Sequence, residues 1–136
     1  MATWDDVERI ARGLPEVDEA PTGHDGLRGW RVRGKRNLVW ERPLRPRDVR
    51  ELEELGGVAP DGPVLGVRVP DLDSKDARLA EDPDAVFTVP HFDGYAAVLV
   101  RLDEIDVADL EDLITDAWVH LAPKRVVAAW QGSRAD

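Results

Sequence analysis

The run Gly29-Trp30-Arg31-Val32-Arg33-Gly34-Lys35 has the G-x-x-x-x-G-K spacing of a loop that cradles phosphates. Arg36 stands where such a loop needs a Ser or Thr for magnesium. The residues between the glycines alternate apolar and basic, which commits their amides to a strand ladder. The segment is therefore read as a basic strand that turns at a glycine, and no nucleoside triphosphate is expected to bind it. His24, His91 and His120 lie 67 and 29 positions apart, without the close spacing of a local metal site, so no metal is expected. His91 and Asp93 are the residue types of an oriented base, because a carboxylate fixes the imidazole tautomer and raises its basicity. A catalytic reading would need a pocket joining Lys35, His91 and Asp93. A turn in which Asp93 bonds its own backbone explains the pair without catalysis. With no Ser, Thr or Cys in a nucleophile motif, no enzyme activity and no cofactor are expected. The carboxylates of Asp103, Glu104, Asp106, Asp109, Glu111, Asp112 and Asp116 lack the calcium-loop pattern, and helical spacing sends most of them to solvent.

The strongest signal is the distribution of positive charge. Residues 28–50 hold nine cations and two anions, a balance of +7, inside a chain whose formal net charge is −10. The remaining residues carry a balance of −17 and repel polyanions at long range, so any nucleic-acid contact must be local and salt-sensitive. Arg31 and Arg33 are expected on one strand face, with Lys35 and Arg36 following at the turn, a strip able to hold phosphates without reading sequence. Three readings fit it: a solvated edge hairpin that resists aggregation, a weak site for DNA or another polyanion, and a dock for an acidic protein.

The chain is long enough for one core and one domain, 1–136. It is 43% hydrophobic and 34% charged, far from the compositions that stay disordered. It has no cysteine, which excludes disulfides and thiolate chemistry. An acidic start and the lack of a long apolar run point to a cytoplasmic protein away from membranes, expected as a monomer.

The elements that must position the basic strip follow from periodicity. Thr3 with Asp6 opens an amphipathic helix carrying Trp4, Val7, Ile10, Ala11 and Leu14. Helices are expected near 3–13, 46–55, 74–80 and 107–121, the last with Asp106 before it and an apolar stripe from Val107 to Leu121. Pro123 breaks or restarts the chain, leaving Val126, Val127 and Trp130 for a final turn or two. Strands are expected around 29–33, 37–41, 64–68, 86–89 and 96–101, with most of the five tryptophans in the core. This pattern, without regular βαβ alternation, describes an α+β domain of two layers: a mainly antiparallel sheet with helices packed on one face.

Leu14-Pro15-Glu16, Trp30 to Lys35, the block Thr88-Val89-Pro90-His91-Phe92-Asp93-Gly94-Tyr95, the strand Val98 to Leu102, and Ala122-Pro123-Lys124-Arg125 together resemble the MmcQ/YjbR family over nearly the whole chain. The resemblance implies a CyaY-like, secretion-chaperone-like α+β fold, also described as a double wing. It also implies DNA binding, a label inferred from fold. Arg36-Asn37-Leu38 depart from the aromatic and small residues that tend to follow GK in that family. On this basis the candidate nucleic-acid contacts are Arg31, Arg33, Lys35, Arg36, Lys124 and Arg125. The alternative is a protein-interaction or chaperone-like module.

Overall fold

The computed structural model describes residues 1–20 and 26–134. Helix α1, Trp4–Arg12, starts at Thr3, whose hydroxyl accepts from the Asp6 amide while the Asp6 carboxylate accepts from the Thr3 amide. Strands β1 (Val17–Glu19), β2 (Gly29–Val32) and β3 (Arg36–Glu41) form an antiparallel meander. Helix α2 (Pro46–Glu54), β4 (Val64–Arg68) and α3 (Leu72–Glu81) follow. Then come β5 (Val86–Phe87), a 3-10 helix (Pro90–Phe92), β6 (Ala97–Arg101), α4 (Val107–Leu121) and α5 (Lys124–Arg134). The six strands make one wholly antiparallel sheet in the order β1-β2-β3-β4-β6-β5.

The two-layer α+β class is as expected, and so are the four helices and five strands within a few residues. Three details differ. β1 has a single apolar residue, Val17, and so shows no alternation; it forms because its backbone pairs with β2 along Val17↔Val32, Asp18↔Arg31 and Glu19↔Trp30. α3 starts two residues early because Asp71 caps it by accepting from the Ser74 amide at 2.7 Å. α5 is three turns long, since Pro123 leaves Ala122 extended and the helix restarts behind it.

The main core lies between the sheet and α1, α4 and α5. Trp30, Leu38, Val39, Leu65, Val67, Val98 and Val100 meet Val7, Ile10, Leu110, Ile114, Trp118 and Val127 there. The other face is not bare: Trp40, Val64, Phe87, Leu99 and Phe92 form a smaller cluster under Leu52 of α2. A register shift in the β2–β3 pairing places Trp30 opposite Val39 and Arg31 opposite Asn37, leaving Leu38 as an extra bulged residue. Both Leu38 and Val39 consequently reach the main core. Gly66 is the floor on which Trp40 lies, because a Cβ there would stand 2.5 Å from Trp40 Cε2. Gly66→Ala should therefore cost about 1–3 kcal/mol through overpacking, readable as a lower urea midpoint with unchanged slope; an unchanged midpoint would show that Trp40 moves freely.

Candidate functional site

The β2–β3 hairpin closes on Arg33 and Gly34, both at positive φ (55° and 70°), with the Lys35 amide donating to the Val32 carbonyl at 3.1 Å. The two positive φ values and this bond are those of a type I′ turn, and the strands resume pairing at Val32↔Arg36. The sequence reading put Arg33 in the strand and the turn at Gly34-Lys35, because Arg is an uncommon residue at positive φ. Here the Arg33 conformation is held from the link just before β1, where the Glu16 carbonyl accepts its amide at 2.8 Å and the Glu16 carboxylate lies 3.6 Å from its guanidinium.

The turn faces the junction of α4 and α5 across a cleft of about 490 Å³. Val32, Val119, Leu121, Ala122 and Pro123 form its apolar surface, while Arg33, Lys35, Arg36, Lys124 and His120 supply its polar edge. No carboxylate lines it. Lys35, Arg36 and Lys124 are exposed and make no ion pair among the described residues. The His120 Nδ1 lies 3.0 Å from the Asp116 carbonyl, so the tautomer that donates there leaves Nε2 unengaged. Beyond His120 stands Asp71, whose carboxyl is held below the usual range chiefly by the Ser74 amide and hydroxyl, with a smaller contribution from His120.

The structure brings Arg33, Lys35, Arg36 and Lys124 together. It separates the other candidates from them. Arg31 alternates with Trp30 and Val32 and so lies on the opposite face of the sheet, where its Nε donates to Asn37 at 3.0 Å. Arg125 lines a different groove with Pro15, Glu16 and Trp130. Lys35, His91 and Asp93 are not joined in one pocket. Phe92, between His91 and Asp93, packs against Arg42 at 5.5 Å, and Arg42 lies seven residues from Lys35, about 20 Å of extended chain. His24 lies outside the described residues. Among those residues, no group of three or more His, Asp or Glu side chains is arranged to hold a metal, and no helix is long and apolar enough to cross a membrane.

The remaining cations of residues 28–50 have separate surroundings. Arg28 lies over the Trp4 ring, and Arg47 pairs with Glu51 at 2.7 Å. Arg42 pairs with the buried Asp48 at 3.1 Å, and Asp48 also accepts the Arg45 amide at 2.9 Å. Burial raises the Asp48 pKa, but the Arg45 amide and the Arg42 guanidinium outweigh it and hold the carboxyl below its usual range. Arg45 and Arg50 are exposed and make no ion pair among the described residues, but neither lines the cleft, to which this run contributes Arg33, Lys35 and Arg36.

Sequence reasoning missed two features. His120 joins the cleft because the C-terminal end of α4 reaches the hairpin turn, a proximity that its isolated position in the chain gives no sign of. Lys75 is buried, and its Nζ donates to the carbonyls of Phe92 at 2.6 Å and Tyr95 at 2.9 Å, pinning the Pro90–Tyr95 segment to α3. The one available signal was its place four residues before Leu79, on the apolar side of α3.

No family model matches the chain. Three mycobacterial relatives are each 54% identical to it over 131 residues, covering 96% of both chains; they include uncharacterized protein Mb2600 of Mycobacterium bovis and uncharacterized protein Rv2570 of Mycobacterium tuberculosis. The chain belongs to the family of these proteins. The fold of this chain is similar to that of Deinococcus radiodurans protein DR2400, a DUF419 domain, with a TM-score of 0.63 at 19% identity over 88% of this chain and 78% of that one. DUF419 is in turn related to the MmcQ/YjbR family. The likeness at that identity concerns the fold.

Proposed function

We propose that this protein is a cytoplasmic, non-catalytic binding module of the MmcQ/YjbR kind that holds DNA weakly through the cleft between the hairpin turn and the α4–α5 junction. The observation that carries this reading is the convergence of Arg33, Lys35, Arg36 and Lys124 on one concave surface without a lining carboxylate. Such cations hold a phosphate backbone by charge and hydrogen bonding and leave the bases unread. The formal net charge of −10 opposes the approach of a polyanion and keeps the affinity low.

Fluorescence anisotropy with labelled DNA tests the reading. Log affinity should fall with log salt at a slope of roughly −3, matching about three to four phosphate contacts. The combined variant Lys35→Gln, Arg36→Gln, Lys124→Gln should bind at least about tenfold more weakly, while Arg31→Gln, altered on the far face, should bind like the parent. A triple variant that binds DNA as well as the parent would refute the assignment. The apolar surface of Val32, Leu121 and Pro123 favours a second reading, an acidic peptide seated with one apolar side chain in the cleft. Loss of a protein partner by the same variant, with no DNA bound even at low salt, would put that reading in place of the first.

A further inference from the structure

We infer that the cleft takes a terminal phosphate, the phosphorylated end of a nucleic-acid strand, in preference to the internal phosphates of a continuous one. This rests on the polyanion reading above and narrows it to a ligand class. The cationic zone is short and acidic groups close it on both sides. On the β1 side, Glu16 reaches Arg33 at 3.6 Å and the Asp18 carboxylate lies 4.0 Å from the space above Gly34. On the other side, the carboxyl of Asp71, the N-cap of α3, lies within electrostatic reach of His120. Farther along α4 the surface turns acidic: Glu81, Asp82, Asp84, Glu104, Asp106 and Asp109 line a groove over the first half of that helix, beside an Arg78–Asp112 pair, while the basic cleft sits at its end. Along α4 the groove reaches Leu113 and the cleft begins at Val119, six residues or about 9 Å farther on.

A strand threaded through the cleft would bring phosphates against carboxylates in both directions. A strand end has a neighbouring phosphate on one side only. Its terminal phosphate also carries charge beyond the single negative charge of an internal one, approaching −2 near neutral pH. That extra charge has donors to meet it. Lys35, Arg36 and Lys124 supply cationic N–H groups without ion-pair partners among the described residues. The amides of Lys124 and Arg125 are the first two of α5, a position without helical acceptors, whereas those of Val126 and Val127 both donate to the Pro123 carbonyl. The cleft volume of about 490 Å³ is that of a pocket for one small ligand. The apolar surface of Val32, Leu121 and Pro123 would lie against the terminal sugar.

The experiment compares three single strands of one sequence by competition anisotropy: one with a 5′-phosphate, one with a 5′-hydroxyl, and one covalently circular. The phosphorylated strand should bind about fivefold more tightly than the other two, and Lys124→Gln, checked for folding by circular dichroism, should remove that preference. Equal affinity for all three would overturn the end preference and leave the polyanion reading standing. Failure of all three to bind at low salt would overturn both.

Discussion

Replacing Trp118 with alanine is expected to remove about 3–5 kcal/mol of folding stability, the range for deleting a fully buried large aromatic. For a chain of 136 residues this lowers the melting temperature by roughly 10–17 °C. Trp118 has no exposed surface and sits where α4 packs under the sheet, with the Trp130 ring edge-on at a centroid distance of 5.0 Å. Its Nε1 donates to the Pro15 carbonyl at 2.9 Å. That bond fixes the link between α1 and β1, where Glu16 takes a φ of 60° and presents its carbonyl to the Arg33 amide. A core residue of α4 thus supports one flank of the cleft. Trp118→Phe keeps a ring but removes the donor and should cost about 1–3 kcal/mol, most of it from the carbonyl left without a partner. Urea denaturation followed by circular dichroism reads both losses. A cost below about 1 kcal/mol for the alanine variant would show that Trp130 and α5 collapse into the space.

The elements whose apolar residues recur at a clear period were legible from the sequence, and those held by other parts of the chain were not. α4 carries its own stripe from Val107 to Leu121 and was placed to the residue. β1 carries no stripe, because an edge strand with one apolar residue is specified by its backbone pairing with β2. The basic run was visible as composition, but its division was not. Arg31 and Arg33 look equivalent under strict alternation, and only the turn geometry shows that Arg33 has left the strand while Arg31 faces away. The Lys35 and Lys124 blocks, 89 positions apart in the sequence, meet only because α4 runs under the sheet and ends beside the hairpin turn. The Pro90–Tyr95 block serves a different place, the cluster under α2, so Lys35 and His91 belong to separate parts of the molecule.

Lys75→Met should cost about 2–4 kcal/mol, because it keeps the buried methylenes while leaving the Phe92 and Tyr95 carbonyls without the donor that now serves both. The effect should also depend on pH, with a sign set by the direction of the Lys75 shift. Burial lowers its pKa below the ordinary 10.5, and the nearby Asp93 and Asp76 only partly restore it. Between that lowered folded value and 10.5 the unfolded chain binds more protons than the folded one, so rising pH favours the fold. A neutral amine still has two N–H groups, enough for both carbonyls, so deprotonation removes the desolvation penalty without breaking either contact. The stability of the parent relative to Lys75→Met should therefore grow from neutral pH into the alkaline range, while other titrating groups cancel in the difference. Urea midpoints of both proteins at several pH values measure it. A difference that shrinks with pH would mean that the charged form is the one the site favours, and that the Pro90–Tyr95 segment is held by the ammonium charge rather than by its hydrogen bonds.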